Sequence, residues 1–212
     1  MLFNSNILFD SPEKIFYLIS NIIASFCVSL IFIAVLIDFV EFQKRSAVKK
    51  EKKSIVETGT MFLFFLFFYI LIRFSIGKIN INFLPLKFFI MTAGLLILII
   101  GCAVNIKGRI NLGRNWSNQI KIYKDHYFVS NGVYSFVRHP LYASIIWMFF
   151  GASLVYSNFS AFLANILIFI PFMYYRAKQE ENLLVREFEN YKNYQIKTWM
   201  FFPKTGSKIK KL

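Results

Sequence analysis

The sequence contains few of the residues from which soluble catalytic domains usually build their sites. Its 212 residues include two histidines, two cysteines and nine glycines. Cys27 and Cys102 lie inside apolar runs, so they offer neither a disulfide framework nor metal-ligand spacing, and we expect no metal site. No Gly-x-Gly-x-x-Gly pattern follows a strand. The sequence therefore argues against a Rossmann-type nucleotide-binding domain.

Charge is also scarce, and acidic residues are the scarcest. Only 17% of the residues are charged and 57% are hydrophobic, whereas soluble domains average about 25% charged and roughly 45–50% apolar. The 27 phenylalanines exclude intrinsic disorder, which requires low hydrophobicity. The composition predicts a membrane protein.

Five apolar stretches approach the ~20 helical residues that cross about 30 Å of hydrocarbon. They predict an all-α integral membrane protein with about five transmembrane helices. Only Ser157 and Asn158 separate the last two stretches, so we expect a tight antiparallel hairpin there. The stretches run from about Phe16 to Val40, Thr58 to Ile76, Leu84 to Val104, Leu141 to Ser157 and Phe159 to Tyr175.

The basic residues predict the orientation of these spans. Twenty-one of the 25 follow the first, third or fifth span, and the other four are Lys14, Arg73, Lys78 and Lys87. Cytoplasmic segments carry the excess of Lys and Arg, so we expect the N-terminus outside a cell or inner membrane and the C-terminus in the cytoplasm. Contact with anionic lipid accounts for the net charge of +14, and no nucleic acid is needed.

The first cluster of candidate site residues is Arg138-His139-Pro140-Leu141-Tyr142, at the start of the fourth span. Pro140 suits a first helical turn, which places His139 near the N-cap beside free backbone N–H groups. Such a helix start can bind an anionic or nucleotide-like ligand. It can equally be an interfacial anchor.

The second cluster is Glu180-Glu181, on a cytoplasmic amphipathic helix that continues the fifth span. These acids can form helical pairs, Arg176 with Glu180 and Lys178 with Glu181, worth ~0.2–0.5 kcal/mol each. Alternatively, one carboxylate holds a cationic or hydroxyl-bearing part of a ligand. The hairpin of the last two spans makes the two clusters neighbours.

Several short elements follow one another in the second half of the chain: Gly113-Arg-Asn-Trp-Ser117, Asn131-Gly-Val-Tyr134, Arg138-His-Pro-Leu-Tyr142, Glu180-Glu181, Leu184, Phe188, Tyr191, Tyr194 and Pro203. With these elements, residues Gly108 to Pro203 resemble the C-terminal signature of the isoprenylcysteine carboxyl methyltransferase and phospholipid methyltransferase superfamily. Two departures are Val133, where many members have proline, and Ala143-Ser144 in place of a more usual glycine.

The resemblance implies an integral-membrane enzyme that transfers a methyl group from S-adenosylmethionine to a lipophilic acceptor entering from the bilayer. The acceptor is an isoprenylcysteine-like carboxylate or a phospholipid amine. Arg138 and Glu181 are the catalytic candidates. The implied cofactor-binding residues are Tyr134, Arg138, His139, Pro140, Tyr142, Glu180 and Glu181.

The chain shows no internal repeat or linker, so residues 1–212 form one predicted membrane domain. Residues 1–105 supply three spans, 106–203 the cofactor-binding region and 204–212 a basic tail. The principal alternative is an NADPH-dependent reductase, because sterol reductases share an Arg-His-Pro-x-Tyr helix start; they usually carry asparagine where this chain has Leu141. A membrane scaffold without enzymatic activity is the third possibility.

Overall fold

The computed structural model describes residues 11–42, 48–52, 55–113, 120–123 and 128–203, with side chains described for 11–37, 59–113 and 128–203. The segment 114–117 of the family signature and the basic tail 204–212 lie outside these residues. The elements in chain order are helix α1 (Pro12–Phe42), strand β1 (Val48–Lys52), α2 (Ile55–Arg73), α3 (Leu84–Leu112), strand β2 (Ile120–Tyr123), a 3-10 helix (Gly132–Ser135), α4 (Pro140–Val155), α5 (Phe159–Ala164), a π-helical turn (Asn165–Phe169), α6 (Ile170–Glu187) and α7 (Tyr191–Lys197).

A helix lies at each of the five predicted spans. Within the described residues, three helical stretches are long and apolar enough to cross a bilayer: Pro12–Ile37, Leu84–Leu112 and Phe159–Glu187. Gly59–Arg73 and Pro140–Val155 are shorter apolar helices. The prediction of a helical integral membrane protein is confirmed, and the count of five crossings stays a prediction.

The structure adds a small sheet to the all-α prediction. β1 pairs antiparallel with β2, and the register aligns Lys52 with Ile120 and Val48 with Tyr123. The alternating residues from Ile120 to Val129 predict a short local hairpin or an irregular loop. The strand partner of β2 is instead about seventy residues earlier in the chain, a pairing that no local turn signal announces.

Helices α3 and α4 approach each other closely because glycines face each other across the contact. A Cβ placed on Gly151 would lie 2.5 Å from the carbonyl oxygen of Gly94, and one on Gly94 would lie 2.7 Å from the carbonyl oxygen of Gly151. Without side chains at these positions the two backbones can touch, which is how small residues stabilise helix pairs in membranes. This contact sets the position of α4, which begins at the candidate site.

Aromatic rings join α2 to the last two spans. Phe64 of α2 stacks on Phe169 with ring centroids 4.6 Å apart, and Phe68 lies 4.4 Å from Phe149 of α4. At the other end of the hairpin, the Asn158 side-chain oxygen caps α5 by accepting from the Ala161 N–H at 2.8 Å. Asn158 also donates to the carbonyl oxygen of Leu71 at 3.0 Å. The turn after α4 is therefore tight, as predicted, and is tied to α2.

Candidate functional site

Helix α4 begins at Pro140, with His139 at its N-cap. The backbone N–H groups before it are already bonded: Arg138 donates to the carbonyl oxygen of Trp199 at 2.8 Å, and His139 donates to that of Met200 at 3.1 Å. The free N–H groups expected at this helix start belong to its first turn, and that expectation stays a prediction. The segment after α7 holds the start of α4 in place, although it is about sixty residues away in sequence.

Glu181 is a fully engaged carboxylate on α6. Only 2% of its side chain is exposed. Its Oε1 accepts from Arg138 Nε at 2.7 Å and lies 3.2 Å from His139 Nε2. Its Oε2 accepts from Gln195 Nε2 at 2.9 Å and lies 3.8 Å from Lys178 Nζ, the latter being the predicted helical pair. Both oxygens of Glu181 thus bind side chains of the protein itself.

Arg138 joins three parts of the chain. In addition to its bond with Glu181, its Nη1 donates to the carbonyl oxygen of Gln195 at 2.9 Å and to that of Thr198. A guanidinium presents several N–H donors in a fixed plane, which suits one side chain to these three acceptors. Arg138 therefore fastens α6 and the segment after α7 to the start of α4.

Glu180 is the more accessible acid of the pair, with 35% of its side chain exposed. Its Oε2 accepts from the Tyr142 hydroxyl at 3.1 Å and lies 3.6 Å from His139 Nδ1. The Tyr142 oxygen in turn accepts from Arg176 Nε at 3.2 Å, so Tyr142 lies between Arg176 and Glu180. The carboxylate of Glu180 keeps capacity for a further donor, because each carboxylate oxygen has two lone pairs.

His139 lies between the two glutamates. Its ring is parallel to that of Tyr142, with centroids 5.5 Å apart and planes 8° apart. Burial alone favours the neutral imidazole, but hydrogen bonds and charges from Glu180 and Glu181 outweigh it and raise the pKa of His139 above its ordinary value of 6.5. The two carboxylates therefore favour the imidazolium form of His139, whose charge is opposite to theirs.

Tyr134 closes the cluster from the 3-10 helix. It is buried, and its carbonyl oxygen accepts from the Tyr194 hydroxyl. Burial, and then the negative charge of Glu180, raise the pKa of Tyr134 well above its ordinary range. Its phenol therefore stays protonated at physiological pH and can donate a hydrogen bond.

Val133 occupies the position where the family signature often has proline. Its N–H donates to Asn111 Oδ1 at 3.2 Å, a bond that proline cannot make. The preceding Gly132 has a φ of +58°, and a Cβ there would lie 2.3 Å from the same Asn111 oxygen. The departure from the signature is thus accompanied by a specific link from the turn to α3.

All the predicted site residues lie in one region, formed by the 3-10 helix, the start of α4 and the middle of α6. Sequence reasoning missed Gln195, Asn105 and Arg109. Asn105 is completely buried in α3; it donates to Ser144 Oγ at 2.8 Å and accepts from Arg109 Nε at 2.9 Å. The charge of Arg109 also reaches Tyr134, where it lowers the pKa against the larger raising effects. Asn105 and Arg109 lie four residues apart at the polar end of the third span, and this i,i+4 spacing was the signal that the sequence offered for them.

The region contains both signs of charge near Tyr134. The charges of Arg109 on α3 and of the partly exposed Glu180 on α6 both act on the pKa of this tyrosine. Such a region can hold a molecule that carries both a cation and an anion. The Arg138–Glu181 pair forms the buried framework beside it.

The comparisons with known proteins agree on one family. The model of the isoprenylcysteine carboxyl methyltransferase (ICMT) family matches residues 93–186. A protein-S-isoprenylcysteine O-methyltransferase of Schizosaccharomyces pombe is 30% identical over 109 residues, which cover 50% of this chain and 46% of that protein. A protein of the same name from Saccharomyces cerevisiae is 31% identical over 108 residues, which cover 45% of each. The match thus spans about half the length of these curated relatives.

The fold also resembles a solved structure. The eukaryotic intramembrane Ras methyltransferase ICMT, determined without a monobody, aligns with a TM-score of 0.52 and 23% identity. The alignment covers 72% of this chain and 53% of that one. At this identity the likeness shows a shared membrane fold.

Proposed function

We propose that the chain is an integral-membrane methyltransferase that uses S-adenosylmethionine, because residues 93–186 match the isoprenylcysteine carboxyl methyltransferase family and two curated relatives of that activity are similar to it. The acceptor in this proposal is the carboxylate of an isoprenylcysteine-like molecule that enters from the bilayer. The observation that carries the proposal is the joining of His139, Tyr142 and Glu180 in one cluster over the Arg138–Glu181 pair. Residues 106–203 are the methyltransferase region, and 1–105 supply three further membrane helices.

The residues present fit this cofactor. Glu180 keeps an accessible carboxylate that can accept from an ammonium or from ribose hydroxyls. Tyr134 offers a protonated phenol that can donate to the cofactor. When bound, the cofactor supplies a methyl group on a sulfonium centre. Of the predicted cofactor residues, His139, Tyr142 and Tyr134 shape the pocket, and Pro140 sets the start of α4.

The protein's part in methyl transfer is mainly alignment and exclusion of water, because a carboxylate acceptor is already nucleophilic and needs no base. We assign Arg138 and Glu181 a positioning role, since each is bonded to several protein groups. Arg109, which Asn105 holds on α3, orients the acceptor carboxylate. A phospholipid amine would have to arrive deprotonated, and the charge of Arg109 disfavours its ammonium form.

The orientation in this proposal places the N-terminus outside and the site on the cytoplasmic side, where S-adenosylmethionine is available. The basic segments after the first, third and fifth spans support it. Labelling of an engineered cysteine near each terminus with a membrane-impermeant maleimide in intact cells tests the orientation. Labelling of a C-terminal cysteine would contradict it.

Equilibrium binding of labelled S-adenosylmethionine to the detergent-purified protein tests the cofactor assignment. Glu180→Gln should weaken binding by about tenfold or more, since hydrogen bonds to a charged group contribute about 1.5–3 kcal/mol. Glu189→Gln, at an exposed position just after α6, is the matched control and should bind like the wild type. Folded wild-type protein that binds NADPH but not S-adenosylmethionine would overturn the proposal.

The acceptor is tested with methyl-labelled cofactor and two substrates in the same vesicles, S-farnesylcysteine and phosphatidylethanolamine. The proposal expects label in a base-labile ester of S-farnesylcysteine. It also expects Arg109→Gln to raise the KM for S-farnesylcysteine while leaving cofactor binding in place. Label found only in the phospholipid amine would contradict the acceptor class.

A further inference from the structure

The segment after α6 carries a row of exposed apolar side chains in the same stretch of chain whose backbone holds the site. Ile196 is 73% exposed, Trp199 50% and Phe202 48%. Soluble surfaces show such side chains singly, whereas grouped ones mark a contact. The same stretch provides the carbonyl groups of Gln195, Thr198, Trp199 and Met200 that accept from Arg138 and His139.

The position of this segment identifies what it contacts. Val137, just before α4, bridges Trp199, so Trp199 lies at the level where an apolar helix of the membrane domain begins. Phe202 continues along α4 and lies 6.4 Å, between ring centroids, from Trp147. Trp147 is seven residues past Pro140, which is about 10 Å along the helix. The segment therefore runs alongside the first two turns of α4, an apolar helix.

The residue types agree with this position. Tryptophan is enriched where a bilayer meets water, because its ring is apolar and its N–H is polar. Lys192 and Lys197 are exposed on α7, the helix on which the apolar row begins. Lysines there can reach the headgroup layer, and each is worth about 1 kcal/mol against anionic lipid.

We propose that Ile196, Trp199 and Phe202 insert into the anionic lipid leaflet that lies next to α7. This insertion holds Arg138 and His139 in the site geometry. We call these three residues the lipid-inserting row. The leaflet thus acts on the site through the backbone bonds from Arg138 to Trp199 and from His139 to Met200. The proposal does not depend on the acceptor or on the cofactor.

Tryptophan fluorescence tests the insertion directly. The chain has three tryptophans, so Trp116→Phe/Trp147→Phe leaves Trp199 as the reporter, and Trp116→Phe/Trp199→Phe leaves Trp147 as the control within the membrane domain. Both proteins are reconstituted in phosphatidylcholine vesicles containing phosphatidylglycerol, with and without brominated acyl chains. We expect a blue-shifted Trp199 emission that brominated lipid quenches.

Two results would overturn insertion. A red-shifted Trp199 emission quenched by iodide in water would place the row in solvent. A blue-shifted Trp199 emission that brominated lipid does not quench would also contradict insertion. If the blue shift then became smaller as the protein is diluted into more lipid, a second copy of the chain would be covering the row.

Hydrogen exchange tests the coupling between the row and the site. In vesicles, Trp199→Ser/Phe202→Ser should accelerate exchange of the Arg138 and His139 amides by about tenfold or more, because the segment that accepts from them opens more often. Phe74→Ser, at an exposed aromatic between α2 and α3, is the matched control and should leave these amides unchanged. Equal exchange in wild type and double variant would refute the coupling. The double variant should also lose the protection that phosphatidylglycerol adds over pure phosphatidylcholine.

Discussion

The adjacent acids of α6 have different surroundings, so substituting each of them should impair a different property of the protein. Glu181→Gln removes the negative charge that faces Arg138 and His139, while Glu180→Gln changes the more exposed carboxylate beside Tyr142. We expect the first variant to lose stability and the second to lose cofactor affinity. The two changes are chemically identical, so each is the control for the other.

The size of the Glu181 effect follows from its contacts. Breaking a buried ion pair from one side costs about 3–5 kcal/mol. Arg138 keeps the carbonyl groups of Gln195 and Thr198, so the lower end, about 3 kcal/mol, is expected. At roughly 2–4 °C per kcal/mol for a chain of this size, the melting temperature should fall by roughly 6–12 °C. Glu180→Gln should cost about 1 kcal/mol or less.

Thermal unfolding in detergent, followed by tryptophan emission, measures both variants, and binding of S-adenosylmethionine is measured below the transition. A double-mutant cycle with Arg138→Gln isolates the pair. If Arg138 and Glu181 interact as described, the double variant is less destabilised than the sum of the single variants by about 2–3 kcal/mol. Strictly additive losses, or equal stability losses for both glutamates, would refute the assignment of Glu181 to the framework.

Three further predictions concern the pH response and two backbone positions. The pKa of His139 is raised in the folded protein, so protonation of His139 contributes to stability fully below about pH 6.5, and this contribution is lost as pH rises through the folded pKa. The melting temperature should therefore decline from about pH 6.5 upward, and His139→Asn should flatten that decline. A decline of the same slope in His139→Asn would contradict this account. Asn111→Ala should cost about 0.5–1.5 kcal/mol in wild type and less in Val133→Pro, since the Val133 N–H bond is then already absent; equal costs in urea unfolding would exclude the bond. Gly151→Ala should destabilise by about 1–3 kcal/mol because its Cβ meets backbone atoms of α3, whereas Gly59→Ala, which meets nothing within 4 Å, should be neutral or stabilising by about 0.5–1 kcal/mol; thermal scans of the two alanine variants that coincide would show that α3 and α4 are not in such close contact.

The site residues could be predicted individually because their signals are local. Pro140 announces a helix start, and the Glu180-Glu181 pair stands out in a basic region. The division of work between the two acids could not be predicted, because it depends on which one faces Arg138 across 43 residues of chain. The sequence also did not identify the site roles of Gln195, Arg109 and Asn105, because these roles depend on contacts in the folded chain. A polar residue near the end of an apolar helix usually only marks the membrane interface.

The sequence by itself determined that this is a helical membrane protein, where its apolar helices lie, and which family it resembles. These features follow from hydropathy and from motifs of neighbouring residues, which require no partner from elsewhere in the chain. Only the tertiary structure decided that the β1 segment pairs with β2, that α3 and α4 meet through Gly94 and Gly151, and that residues 195–200 bind the start of α4. Each is a contact between distant segments, and its geometry depends on the packing of the helices around it.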